Sequence, residues 1–204
     1  MAGKKRTGKR RFFRKGPKGP KGSAQPQAPK SAMRVREVTG RGIWQLVHPP
    51  CAVERQDDLD EVQQMLEAGE FDVARDELRW LLDGCGDLVR AHQMLGEMAA
   101  DEGDFALARG HFGYAFDICR AAFPEGRLPG PLPYELPENQ ALHESAKGLA
   151  WCLRELGKQD AALRVLEEMT RWDPTDPLGA KALAGSWITT VELQLPPPPK
   201  TATE

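Results

Sequence analysis

His48 and Cys51 are separated by two residues, a spacing that can place an imidazole and a thiolate on one zinc ion. A structural zinc site needs a second such pair at ligand spacing. The remaining combinations, Cys85 with His92, His111 with Cys119 and His143 with Cys152, are too loosely spaced to form a knuckle. The expected metal set is therefore none. His111, beside Phe112, reads as a packing histidine rather than a base. The chain has no phosphate-binding glycine loop, no dinucleotide glycine motif, no nucleophile elbow and no His-Glu-x-x-His. The paired acids Asp57–Asp58 and Glu167–Glu168 read as helix caps and solvated faces. We expect a non-enzymatic chain with no catalytic residues and no cofactor. The four cysteines, Cys51, Cys85, Cys119 and Cys152, are scattered rather than patterned, and the expectation for them is reduced thiols in a cytoplasmic protein.

Charge supplies a second kind of chemistry. Residues 1–36 carry 13 of the 28 Lys and Arg and no Asp or Glu, whereas residues 37–204 carry the other 15 against all 30 acids. The near-neutral total conceals a strongly basic arm on an acidic body, an asymmetry that suggests a polyanion partner. Within the arm, Lys4, Lys5, Arg6, Lys9, Arg10, Arg11, Arg14 and Lys15 can neutralise phosphates of RNA or DNA, and Phe12 and Phe13 can stack on exposed bases. Glycine and proline recur throughout the arm, and its apolar content is too low to offset chain entropy, so it is expected to be disordered. A secretory signal would need an apolar core where more charge stands. No apolar run is long enough to span a bilayer, so no membrane partner is expected. Lys-Gly-Pro triplets would break the amphipathic helix of a transit peptide.

The elements that must position any site follow from an internal register. Glu67–Leu78, Asp101–Phe112 and Glu155–Leu166 align on Gly69, Gly103 and Gly157; the first two glycines are 34 residues apart and the third lies 54 further on, one more period plus a proline-rich insertion. Five positions after each glycine stands Ala74, Ala108 or Ala162, small enough for two helices to approach. Four later comes Leu78, Phe112 or Leu166 to fill the contact. Eight before the glycine, Leu95–Gly96 and Leu149–Ala150 mark the packed face of a preceding helix. Pro174 ends the last unit, and Asp176 with Pro177 opens a final helix through Leu178, Ala182, Leu183 and Trp187 to near Val191.

This pattern resembles the tetratricopeptide repeat, with its Leu-Gly, its Ala and Phe four apart and its closing Pro. The unit Asp87–Arg120 matches best, the unit from Glu54 has Glu61 and Val62 in place of Leu-Gly, and the third has Ala150 in place of the glycine. The resemblance covers residues 54–190. It implies an all-α fold: a short α-solenoid of about three tetratricopeptide-like helix pairs with a capping helix, behind a disordered basic tail. The domain organisation is then a basic tail at 1–36, an extended apolar cap at 37–53, a repeat domain at 54–191 with its insertion at 124–140, and a proline-rich tail at 192–204.

The resemblance also implies a groove lined by the first helix of each pair. Lys147, Trp151 and Arg154 fall on one helical face, and Arg90, Gln93 and Glu97 lie on the equivalent face one unit earlier; these six are the candidate partner-binding residues. Trp151 between two cations could take an extended peptide, or could instead pack under the insertion or on the final helix. The carboxylate clamp of the chaperone-binding subgroup is missing, with Leu59, Gln63, Met94, Glu144 and Gly148 in its places. Ile43, Trp44, Leu46 and Val47 read as a cap on the first helix pair, or as an internal ligand of the groove. Five prolines from Pro124 to Pro137 make the insertion an extended loop, either a spacer or a lid whose Leu132, Tyr134 and Leu136 touch protein on one side. Two functions remain open. In one, an adaptor binds a protein or peptide while its tail tethers to nucleic acid, RNA foremost. In the other, a protein-only adaptor uses the tail to contact acidic proteins or a localisation receptor. Exposed repeat faces leave self-association open.

Overall fold

The computed structural model describes residues 33–128 and 130–194, apart from the side chains of Glu125 and of 189–194. The described chain is mostly helical, with eight α-helices, one short 3-10 turn at Pro124–Gly126 and a two-stranded sheet. Strands β1 (Arg34–Val38) and β2 (Ile43–Val47) pair antiparallel in the register Arg34 with Val47 through Val38 with Ile43. Their connection turns through Gly40 and Gly42, both at positive φ, a backbone region glycine enters without steric cost. The described chain is mostly helical, as the all-α expectation has it, and the segment expected to be an extended cap contributes to a small two-stranded sheet. The apolar run at 43–47 is a strand because the preceding segment pairs with it residue for residue, placing Val35 opposite Leu46 and Val38 opposite Ile43. Arg34 and Arg36, assigned by sequence to a disordered tail, belong to β1, and Met33 before them is buried.

The helices are α1 (Pro50–Val53), α2 (Gln56–Glu67), α3 (Phe71–Gly84), α4 (Val89–Asp101), α5 (Phe105–Ala121), α6 (Pro137–Glu155), α7 (Gln159–Trp172) and α8 (Ala180–Gln194). Three of them end in one device. After α2, Gly69 donates to the Leu66 carbonyl and Glu70 to that of Met65; after α4, Gly103 donates to Ala100 and Asp104 to Ala99; after α6, Gly157 donates to Arg154 and Lys158 to Leu153. All three glycines sit at φ between 72° and 80°, so each closes a Schellman cap that satisfies the last carbonyls and turns the chain directly into the next helix.

The helices that follow bury the residues named by the register. Ala74, Ala108 and Ala162 are fully buried, as are Leu78, Phe112 and Leu166 to within a few per cent. Phe112 also explains two glycines. A Cβ at Gly96 of α4 would lie 2.8 Å from its ring, and one at Gly148 of α6 would lie 2.6 Å away, so the ring is wedged between two bare stretches of helix. The core forms two clusters. The smaller joins α1, α2 and α3 to one side of α4, and the larger joins the hairpin, α5, α6, α7 and α8.

Four further expectations are corrected. Cys51 of α1 and Cys85 at the end of α3 form a disulfide, leaving Cys119 and Cys152 as buried free thiols. The hairpin does not cap the first helix pair. Trp44 N–H donates to the Pro131 carbonyl at 2.7 Å and Leu46 N–H to Asn139 Oδ1 at 2.9 Å, so β2 lies on the insertion and the first turn of α6. The side-chain amide of buried Asn139 completes the joint by donating to the carbonyls of Trp44 and Pro133. The insertion ends at Leu136, earlier than expected, because Pro137 occupies the first turn of α6, where a missing N–H costs nothing. Helix α8 continues past Val191 to Gln194.

Candidate functional site

A cleft of about 580 Å³ opens where the amino-terminal halves of α2, α4 and α6 converge below the end of β2. Leu59, Val89 and Ala141 contribute apolar floor from the three helices in turn; Asp60, Arg90, Glu138 and Glu144 contribute the rim. His48, at the end of β2, places Nε2 2.8 Å from the Glu138 carbonyl. His48 is therefore engaged with α6 and Cys51 with Cys85, which dissolves the half-site suggested by their spacing.

Glu144 organises the wall between α4 and α6. Its Oε2 accepts from Arg90 Nη1 at 2.9 Å and Gln93 Nε2 at 2.7 Å, and its Oε1 from the Tyr134 hydroxyl at 2.7 Å. Arg90 Nη1 also donates to Gln93 Oε1, and Gln93 Nε2 donates to Glu97 Oε1 at 2.8 Å. The hydrogen bond to Glu144, and then burial, raises the Tyr134 hydroxyl above its ordinary pKa of 10, so it stays protonated and donating at neutral pH. The insertion is anchored a second time beside this residue. Leu132 N–H donates to the Trp172 carbonyl, and the His143 ring lies 2.7 Å from the Leu132 carbonyl through Nε2. Tyr134 N–H donates to Asp173, whose carboxylate also accepts from the Thr175 amide and hydroxyl. Burial would raise the Asp173 carboxyl, but these hydrogen bonds outweigh it and hold the group below its ordinary value.

The six groove residues named from sequence divide into two places. Arg90, Gln93 and Glu97 belong to the Glu144 network. Gln93 is corrected as a contact residue, because it is buried and its amide is consumed by Arg90, Glu97 and Glu144. Trp151 and Arg154 pack against α8: the Trp151 and Trp187 rings meet edge to face at 6.2 Å, and the Arg154 guanidinium lies 5.8 Å from one centroid and 5.2 Å from the other. Lys147 is exposed. Trp151 thus serves mainly as an α6–α8 contact, although 44% of it remains exposed. Lys4, Lys5, Arg6, Lys9, Arg10, Arg11, Phe12, Phe13, Arg14 and Lys15 lie outside the described residues. Sequence reasoning missed Glu144 as the partner of Arg90 and Tyr134 as the partner of Glu144. One signal was present, since Glu144 stands 54 residues after Arg90, the offset between equivalent positions of the second and third units.

Among the described residues, no helix is long and apolar enough to cross a membrane, and no group of three or more His, Cys, Asp or Glu could hold a metal ion. In comparisons with known proteins, no family model, curated protein or solved structure matches the chain.

Proposed function

We propose that this chain is a non-enzymatic interaction scaffold of the tetratricopeptide kind, with α2/α3, α4/α5 and α6/α7 as its helix pairs and α8 as the closing helix. The cleft takes an extended segment of a protein partner, and the basic tail tethers the complex to nucleic acid, RNA foremost, in the cytoplasm. The pairing is supported by one glycine cap used three times, each followed by a buried alanine at the same offset. The observation that carries the binding role is the cleft itself. Equivalent ends of α2, α4 and α6 give it an apolar floor with a polar rim, the composition of a site that buries side chains and fixes their direction by hydrogen bonds.

Selecting a displayed peptide library on the full chain, then mapping the chosen peptide by amide chemical shifts, tests the cleft. The expected shifts cluster at Leu59, Val89 and Ala141, and Ala141→Arg abolishes binding while the fold persists by circular dichroism. Failure to select any peptide, or shifts confined elsewhere, overturns this half. For the tail, electrophoretic mobility with bulk RNA at low and moderate salt is compared before and after deletion of residues 1–31. The deletion stops there because Met33 is buried and β1 begins at Arg34. A steeply salt-dependent shift that disappears on deletion is expected. Equal binding by the truncated chain refutes the tether, and no shift from the full chain leaves the tail to acidic proteins or a localisation receptor.

A further inference from the structure

His92 and His111 belong to different helices, α4 and α5, yet their Nδ1 atoms stand 3.4 Å apart. His92 Nε2 lies 3.2 Å from the carbonyl oxygen of Gly86. A carbonyl only accepts, so Nε2 carries the His92 proton and Nδ1 turns its lone pair toward His111. Metal-binding histidines are held in this way, with the distal N–H given to a carbonyl that fixes tautomer and ring orientation. The separation fits as well. Two imidazole nitrogens bound at about 2.0–2.1 Å with a tetrahedral angle between them lie about 3.3–3.4 Å apart.

We propose that His92 and His111 form a two-histidine clip for a first-row transition-metal ion of the Zn²⁺ type, with the other coordination positions taken by water. In the free chain His111 Nδ1–H bridges to His92 Nδ1. On binding, the His111 proton moves to Nε2, both Nδ1 lone pairs reach the metal, and no proton is lost from the pair. Burial keeps both rings neutral at pH 7, pushing His92 down to about 4 and lowering His111, so binding requires no deprotonation there. The surrounding charges oppose one another. Asp87, before α4, favours a cation at His92, whereas Arg79 of α3 disfavours one at His111. The Tyr114 ring, 4.6 Å from that of His92, covers one side. With no third His, Cys, Asp or Glu grouped with them among the described residues, the clip is weaker than a closed structural site.

The test uses the full chain, freed of metal by a chelator and titrated with Zn²⁺ while the histidine ring nitrogens are followed by NMR. The expected result is a large shift of both the His92 and His111 Nδ1 resonances, with His143 unmoved because its Nε2 is engaged by Leu132 and its ring is buried. His92→Gln and His111→Gln should each weaken binding about tenfold or more. Ring nitrogens unchanged at about 1 mM Zn²⁺, or equal binding by both variants, would overturn the clip. The unmodified chain gives a decision by itself if either variant fails to fold.

Discussion

Reducing the Cys51–Cys85 disulfide should loosen the first helix pair far more than the rest of the protein. The bridge closes a loop of 34 residues that contains all of α2 and α3. For that loop length, the chain entropy removed from the unfolded state corresponds to about 4 kcal/mol at 25 °C. What remains after reduction is the smaller core cluster around Leu59, Val62, Leu78 and Leu81, together with the Arg55 guanidinium 4.8 Å from the Trp80 ring. If the protein unfolds as one unit, the loss lowers Tm by about 8–16 °C. Because the core is divided into two clusters, the same loss is expected to register locally first. Amide exchange should accelerate in α2 and α3 while α5, α6 and α7 keep their protection. The assay compares the oxidised chain, the chain in a phosphine reductant and the Cys51→Ser/Cys85→Ser variant by thermal melting and hydrogen exchange. A Tm within about 2 °C of the oxidised chain, with unchanged exchange in α2 and α3, would refute the reasoning. Disulfides in a cytosol are usually transient or redox-sensing, so a cytoplasmic setting would make this pair a control on one wall of the cleft, to which Ala52 and Val53 belong.

Gly148→Ala should destabilise by about 1–3 kcal/mol through overpacking against Phe112. Phe112→Leu in that background should recover part of the loss in urea melts, and strictly additive losses would show that the ring is not what the glycine accommodates. Tyr134→Phe removes the hydrogen bond to Glu144 and should cost about 1–2 kcal/mol; an unchanged denaturation midpoint would mean that the insertion is held without it. Burial lowers His92 and His143 below 6.5 in the folded chain. The unfolded chain therefore binds more protons as pH falls, and these residues take stability away below about pH 6.5, for His92 until about pH 4. NMR titration should find the His92 midpoint near 4, and a midpoint at 6 or above would contradict the described burial.

The local devices were legible because their physics is local. A glycine that must enter the left-handed region, an alanine five residues later and a large side chain four beyond that all act within one turn and the helix it starts. Gly69, Gly103 and Gly157 therefore marked the register of the three segments in the sequence, and the structure shows each of them closing a helix. The same reasoning placed Pro137 wrongly, because proline both breaks helices and opens them, and only the position of the first turn decides which.

Tertiary structure decided what depends on residues far apart along the chain. Trp44 and Leu46 reach Asn139, Cys51 reaches Cys85, Arg90 reaches Glu144 and Trp151 reaches Trp187. The 54-residue offset relates Arg90 to Glu144, but an offset does not bring side chains together, and each of these meetings requires the chain between to have packed before the two become neighbours. The sequence by itself determined the mostly helical character of the described chain and the register of its three glycine turns. Packing determined that the insertion is anchored beside the cleft, that the Arg90 side turns inward to Glu144, and that two histidines from different helices face each other.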